Sequence, residues 1–527
     1  MIRLPNSGLR GLAAAGSLTL GLCIALAQTF PVVVWAQTRS ASPSSSTVPS
    51  STPPALPESA SGWRHIEPSQ FSRRAVVTAH GLASQAAWDT LRQGGNAVDA
   101  AIAAQWVLGL VEPQSSGPGG GAFVVLSKAE QVLAYDGRET APAAAHADQF
   151  LKDGKPLGFT EATRLPQAVG IPGVVALLWD MHKTHGRLPW IKLTEPAMRL
   201  ADQGFPMSPR LNALLTQNAS ALPPSVKALY FNRDGQIKPV GERMRNPGYA
   251  RLMRDVGRQG RKGFDRGPWA KALLKEVNSA GSQWMTAQEL SSYRPTQRPA
   301  LCQSLAATAA WPNGLQACGM PPPSSGQLAI AQWLGIWDAQ GRHLFNANGD
   351  IDGESLHPWV EAGRLAFADR ASYVSDPDHV PRPVPAPAEL LTESYLAERA
   401  RLVGERRMPK AVPGLWPARP LALMGDQPER GTSHLSIVDG KGMALAMTTT
   451  IEQAFGSRRL VSLPGLAGGY WLNNQLTDFS FLPTDAQGLA VANQVQANKR
   501  PRSSMSPMLV FAPNAKGQST PVMALGS

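Results

Sequence analysis

Two β-type runs, Ser433–Val438 and Met443–Thr449, flank Asp439-Gly-Lys-Gly442. Alternating residues of high strand propensity on either side of a Gly-rich turn predict an antiparallel hairpin. If Val438 faces Met443, then Thr432 lies opposite Thr449 and one step from Thr450. A slip of one residue exchanges the threonine that shares its face, and the sequence leaves both registers open. Just before the first run stands Gly431-Thr432-Ser433-His434. A threonine hydroxyl is a weak nucleophile. It becomes effective when a free α-amine on the same residue, with a pKa of ~7.7–8.0, can take its proton. That requires a chain break between Gly431 and Thr432. Such a stretch by itself is far more often an ordinary strand entry, so its meaning depends on the rest of the chain.

The chain has 527 residues and a net charge of +12. A basic surface can signal nucleic acid. Here the Lys and Arg residues are scattered, with neither a long basic run nor basic-aromatic interleaving, which argues against a nucleic-acid partner. Met1–Ala36 reads as a signal peptide. Arg3 and Arg10 precede the apolar run Leu12–Ala27, and Val34-Trp35-Ala36 fits a cut before Gln37. The expected location is therefore periplasmic or secreted, with no membrane attachment after cleavage. The apolar character runs on to Val34, so an uncleaved anchor is the alternative. Residues 37–62, rich in Ser, Pro, Thr and Ala, read as a disordered linker, and folded sequence is expected from Trp63. Cys302 and Cys318 remain after cleavage of the leader; they form either one disulfide or two free thiols. His182 and His185 stand three apart on an apparent helix, but no third metal ligand is near in sequence.

Val76 opens a strand, followed by helices over Ala83–Gln93 and Asn96–Leu110 with a Gly94-Gly95 break between them. Ser115-Ser-Gly-Pro-Gly-Gly-Gly-Ala-Phe123 then leads into a strand over Phe123–Ser127. The glycine run is either a tight turn or an anion cradle, and it lacks the Lys-Ser/Thr of a nucleotide P-loop. A second strand, Val132–Tyr135, ends at an Asp136-Gly137 turn that sets Arg138 at a strand end. Leu157–Tyr293 is rich in helical patterns. Further helices are expected over Gln327–Trp337 and His357–Ser372, and Asp376–Pro420 reads as Pro-dense and irregular.

Eight segments occur in one order: Asn96-Ala-Val-Asp-Ala-Ala101, Glu112-Pro…Ser115-Ser-Gly-Pro-Gly-Gly-Gly121, Asp136-Gly-Arg-Glu-Thr-Ala-Pro142, Pro321-Pro-Pro-Ser-Ser-Gly326, Ala366-Phe-Ala-Asp-Arg370, Thr432-Ser-His, Leu472-Asn-Asn-Gln-Leu-Thr-Asp-Phe-Ser480 and Asn498-Lys-Arg-Pro-Arg-Ser-Ser-Met-Ser-Pro507. Together they resemble the gamma-glutamyltransferases (gamma-glutamyltranspeptidases, glutathione hydrolases) from about Ala75 to the last residue. The resemblance implies an α+β fold, a four-layer αββα sandwich of the N-terminal nucleophile hydrolase type. It also implies a precursor that cuts itself between Gly431 and Thr432 into a large subunit, 63–431, and a small one, 432–527, which stay together.

Thr432 then matches the catalytic nucleophile and Thr450 the threonine that orients it. Arg138 matches the arginine that grips the substrate α-carboxylate, with Ser503 and Ser504 as hydroxyl donors to the same group. Gln475 and Asp478 match the groups that hold the α-ammonium. The implied reaction passes a gamma-glutamyl group from glutathione or a related amide, through an ester on Thr432, to water or to an amino-acid or dipeptide acceptor. No metal or organic cofactor is implied.

Two departures from the family pattern bear on these expectations. The sequence stops at Ala524-Leu-Gly-Ser527, where the family continues into Pro-Gly-Gly-Ser, whose amides form the oxyanion hole. The small subunit is therefore expected to be incomplete at its C-terminus, leaving either a fragment of a longer product or an inactive envelope protein. Glu452 stands where better-known members carry Asn near the glutamyl substituents. It leaves a cephalosporin or glutaryl-type acylase of the same fold as the second enzymatic reading.

Overall fold

The computed structural model describes residues 2–3, 73–278, 283–307, 311–346, 350–379, 386–414, 421–422, 424, 431–514 and 518–527. The expected leader (apart from Ile2–Arg3), the linker at 37–62 and the residues at 425–430 before the expected cut lie outside them. The strands that build the two main sheets are, in chain order, β1 (Ala75–Thr78), β2 (Gly121–Lys128), β3 (Gln131–Gly137), β4 (Thr296–Pro299), β5 (Leu301–Leu305), β6 (Leu315–Gly319), β7 (Thr432–Val438), β8 (Ala444–Thr450), β9 (Met508–Pro513) and β10 (Ser519–Leu525). The first sheet is six-stranded in the order β1-β7-β8-β2-β3-β4, and every pairing is antiparallel. The second is five-stranded: Ile2–Arg3 lies on the edge of β10, then β9, β6 and β5.

Alternation along the strands explains the layering. In β7 and β8, Leu435, Ile437, Leu445 and Met447 belong to the largest apolar core, with helices Gly81–Arg92 and Ala97–Val111. Val438, Ala444 and Ala446 point the other way and meet Cys318, Leu509, Phe511 and Ala524 of the second sheet. The far face of that sheet presents Ala317, Met508, Val510, Ala512 and Val522, against which Ile330 of helix Gly326–Asp338 packs. Helix Gly353–Tyr373 lies beside that helix through Ile336, Ala362 and Leu365. The result is helix, sheet, sheet, helix, the expected four layers. An apolar stripe on both faces of a sheet requires a cover on each, and this arrangement supplies it.

The helix Ala97–Val111 is buried along its whole length. Asn96 and Asp99 close a reciprocal capping box at its start, and Ala97 N–H donates to Asp439 at 3.3 Å. That last bond pins the helix to the turn of the β7–β8 hairpin. Within the turn, Asp439 N–H donates to the Met443 carbonyl at 3.0 Å. The Asp439 carboxylate accepts from Lys441 and Met443 N–H at 2.8 and 3.1 Å. Met443 is thus consumed in closing the loop, and Val438 pairs with Ala444 instead. Of the two registers left open, the structure takes the one in which Val438 faces Ala444 and Thr432 faces Thr450.

Two other expectations need amendment. Helix Gly353–Tyr373 starts four residues before His357, because Asp352 caps it by accepting from Glu354 N–H at 3.3 Å. The stretch read as irregular contains helix Glu393–Ala400, whose Tyr395, Leu396, Arg399 and Ala400 are buried. Cys302 and Cys318 face each other across β5 and β6 and are joined as a disulfide. Among the described residues, no helix is long and apolar enough to cross a membrane.

Candidate active site

Thr432 is the first residue of β7, at the end of the sheet where β8 and β2 also present short residues: Thr432 pairs with Thr450, and Thr450 with Gly121. The partnering puts Thr432 and Thr450 on one face, between the two sheets. Thr450 Oγ1 donates to the Gly431 carbonyl at 2.7 Å, and it accepts from Glu452 N–H at 2.8 Å. The carbonyl of the expected scissile bond is therefore held by a hydroxyl whose own orientation is fixed. Gly431 has φ +79°, and a Cβ there would sit 2.7 Å from the Glu452 carbonyl oxygen. Only glycine takes this backbone without strain.

His434, two residues on, is not placed as a base. Its ring nitrogens lie 2.8 Å from Thr448 Oγ1 and 3.0 Å from Ser436 Oγ. Burial pushes its pKa down to about 4, so at neutral pH it is an uncharged link between two hydroxyls.

The glycine run turns out to be a packing device. A Cβ on Gly119 would lie 2.1 Å from the Trp471 carbonyl oxygen, and one on Gly120 2.0 Å from that of Thr450. The close approach lets Asn473 Nδ2 donate to the Gly119 carbonyl at 2.8 Å and to that of Gly170 at 2.9 Å. Asn474 N–H donates to the Ile451 carbonyl at 3.2 Å. The Leu472–Ser480 segment is thereby fastened to the loop that follows β8. In that loop Glu452 is buried, has φ +76°, and accepts from Asn474 Nδ2.

Arg138 follows β3, three strand positions across the sheet from β7. At about 4.8 Å per strand the two backbones stand about 14 Å apart, a gap that a long side chain and a small substrate can bridge together. Arg138 is fully buried. Its Nη2 donates to the Asp478 carboxylate and, at 2.8 Å, to the Arg502 carbonyl, while Nε donates to the Pro501 carbonyl at 3.2 Å. Among the described residues Nη1 makes no hydrogen bond; the Glu139 carboxylate lies 3.8 Å from it. Glu139 is itself fully buried, and burial outweighs Arg138 to push its pKa up to about 8. Gln475 Nε2 donates to Asp478 at 2.8 Å, which leaves Gln475 Oε1 buried and without a partner. Ser503 is buried, with Oγ accepting from Met505 N–H at 3.2 Å. Ser504 is exposed.

Arg138, Gln475 and Asp478 thus converge directly, with Ser503 one residue beyond the Arg502 carbonyl that Arg138 binds. Thr432, Thr450, Gly431 and Glu452 form a second group along the same sheet end.

Sequence reasoning passed over Asn493. It is buried, Nδ2 donates to the Asp478 carbonyl at 2.7 Å, and Oδ1 accepts from Arg502 N–H at 2.9 Å. One amide thereby holds both segments that reach Arg138. No local signal marks it, since its partners are 15 and 9 residues away. Asp136 was read only as a turn residue. It also accepts from Arg138 N–H at 2.9 Å and from Arg298 Nε at 2.9 Å.

A threonine at a strand start, lodged between two sheets that are each covered by helices, defines an N-terminal nucleophile hydrolase architecture. The sequence model of the family described as Gamma-glutamyltranspeptidase matches residues 83–527. The chain is 34% identical to glutathione hydrolase 2 of Arabidopsis thaliana, over 83% of this chain and 72% of that one. It is 33% identical to the glutathione hydrolase proenzyme of Bacillus subtilis, over 86% and 74%. Among solved structures, the gamma-glutamyltranspeptidase of Helicobacter pylori superposes with a TM-score of 0.60 at 28% identity, covering 67% of this chain and 99% of that one. A cephalosporin acylase from Bacillus halodurans superposes with a TM-score of 0.67 at 24% identity, covering 87% and 79%, which speaks for the fold alone. The chain belongs to the gamma-glutamyltranspeptidase family.

Proposed function

We propose that this protein is an autoprocessing gamma-glutamyl hydrolase and transpeptidase. The observation that carries the reading is the hydrogen bond from Thr450 to the Gly431 carbonyl, at the start of the strand that Thr432 opens. Polarised by that donor, the carbonyl carbon is attacked by Thr432 Oγ. The Gly431–Thr432 amide becomes an ester, and water hydrolyses it, leaving a Gly431 carboxylate and a free amine on Thr432. The amine then takes the proton of its own hydroxyl during substrate attack.

In the second reaction, Thr432 Oγ attacks the side-chain amide carbonyl of the donor, and the amine leaves with a proton. The resulting gamma-glutamyl ester passes to water or to an amino acid or dipeptide. Arg138 Nη1 and the Ser503 hydroxyl proton are available to the α-carboxylate. Gln475 Oε1 and Asp478 are available to the α-ammonium. This division favours an amino-acid-like acyl group over glutaryl, which has no ammonium. Glu452, beside Asn474, adds negative charge on the ammonium side. The large piece would end at Gly431 and the small one begin at Thr432, both held in the envelope or secreted.

The reading is tested with the complete gene product. Electrophoresis should show two pieces, and a gamma-glutamyl anilide should release its amine. Two pieces without amine release, together with release from a glutaryl anilide, would select the acylase instead.

Two further outcomes follow from the geometry. Gly431→Ala places a Cβ against the Glu452 carbonyl in a left-handed backbone, displacing the scissile carbonyl from Thr450. Self-cleavage should slow roughly 5- to 30-fold, the equivalent of about 1–2 kcal/mol of strain, while circular dichroism stays native. Cleavage at the native rate would show that this carbonyl is not held as described. Asn493→Leu removes two hydrogen bonds, each worth roughly 1 kcal/mol, from the segments that reach Arg138. KM for the anilide should rise about tenfold with kcat changed much less. A fall in kcat at constant KM would contradict the positioning role.

A further inference from the structure

Away from Thr432, a cavity of about 380 Å³ opens beside helix Gly267–Val277 and is lined by Arg164, Arg458, Arg459, Glu276 and Ser457, among others. Three guanidinium groups meet one carboxylate there. Arg459 is answered by Glu276, and its Nη atoms donate to the Glu276 and Arg164 carbonyls at 2.8 and 3.1 Å. Among the described residues Arg458 has no such answer. It is half-buried, Nη2 donates to the neutral Asn218 amide oxygen at 3.0 Å, and the buried Nε makes no hydrogen bond. Burial and the neighbouring Arg164 charge both press its pKa below the ordinary value. Two buried arginines elsewhere are balanced by acids: Arg298 by Asp136 and Asp378, and Arg500 by Asp136 and Asp376. Withdrawing a cation from water without a counter-charge is unfavourable.

The backbone that places Arg458 is also unusual. Between Glu452 and Arg458, the residues Glu452, Phe455, Gly456 and Arg458 all have positive φ, Arg458 at +57°. For a non-glycine residue this conformation is strained, and it persists only where its surroundings fix it. At the end of this loop the Arg458 side chain lines the cavity.

We propose that this cavity is a binding site for a small, multiply charged oxyanion, of the phosphate or polycarboxylate class, held chiefly by Arg458 and Arg164. A guanidinium fork matches either oxyanion with paired N–H donors, and Arg459, already matched to Glu276, forms the wall. The loop that ends here begins at the residue whose N–H orients Thr450, so an occupant anchors the far end of the catalytic loop. The site stands independently of the gamma-glutamyl reading, because its test reads binding and not turnover.

Pyrophosphate and citrate are titrated separately into the processed protein by calorimetry, with chloride at matched ionic strength as the blank. The expected result is one saturable site for at least one of the two. Arg458→Gln should weaken that binding at least tenfold and abolish the rise in melting temperature that the anion produces. The control is Arg266→Gln, at a separate basic cavity lined by Arg261, Lys262 and Arg294, which should leave binding unchanged. Pyrophosphate binding without citrate assigns the site to phosphate compounds, and the reverse assigns it to polycarboxylates. No saturable binding above the chloride blank, or equal loss in both variants, would overturn the proposal and leave only the general attraction of a basic surface.

Discussion

Thr432→Ala should leave the chain in one piece and without detectable turnover. The substitution removes the γ-oxygen and the γ-methyl group. Thr432 is half-buried at the mouth of the sheet, and its loss creates neither a large cavity nor an unpaired charge, so the melting temperature should shift by no more than a few degrees. Both reactions proposed above need that oxygen, first against the Gly431 carbonyl and then against the donor amide. Thr432→Ser keeps the oxygen and should cut and turn over at reduced rates, since the lost methyl no longer fixes the hydroxyl rotamer. A Thr432→Ala protein that still splits at 431/432 would place the cutting agent outside this residue.

Arg138→Lys should raise KM for a gamma-glutamyl anilide by about 10- to 100-fold, with little change in overall stability. A charged hydrogen bond is worth roughly 1.5–3 kcal/mol, and a lysine cannot reproduce the paired geometry toward a carboxylate. The lysine retains a cation beside Asp478, so it avoids the larger penalty of leaving that partly buried carboxylate without a counter-charge. The effect should be specific to one part of the substrate. A 4-aminobutanoyl anilide keeps the ammonium and lacks the α-carboxylate, so its weaker turnover should be indifferent to the substitution. Asp478→Asn should show the complementary pattern, harming the 4-aminobutanoyl substrate as much as the gamma-glutamyl one. Equal harm to both substrates from Arg138→Lys would mean that Arg138 shapes the pocket without touching the carboxylate.

The layers and the site were legible to different degrees. The helix expected over Asn96–Leu110 and the strands expected over Phe123–Ser127 and Val132–Tyr135 follow from local pattern. Apolar spacing and capping act over a few residues. The hairpin was legible too, but its register was not. Deciding between Thr449 and Thr450 required knowing that Asp439 folds back onto Met443, a side-chain bond whose strength depends on the finished turn. The individual residues of the motifs were readable, yet what joins them was not. Arg138 reaches carbonyls more than 360 positions away, Asn493 clasps two segments neither of which it resembles, and the glycine run acts through backbone contacts made by Trp471 and Thr450. Long-range contacts of this kind leave no periodic trace. Arg458 is the extreme case. In sequence it is one of a pair of arginines after a Gly-Ser, and only the fold shows that one of the pair has a counter-charge and the other does not.

Intact mass spectrometry of the complete wild-type gene product, before and after brief exposure to a gamma-glutamyl donor, bears most directly on the central claim. The account predicts two polypeptides, one ending at Gly431 and one beginning at Thr432, with the smaller gaining a single gamma-glutamyl group on Thr432 that hydroxylamine removes. An undivided chain, or an acyl group found on any other residue, would contradict it.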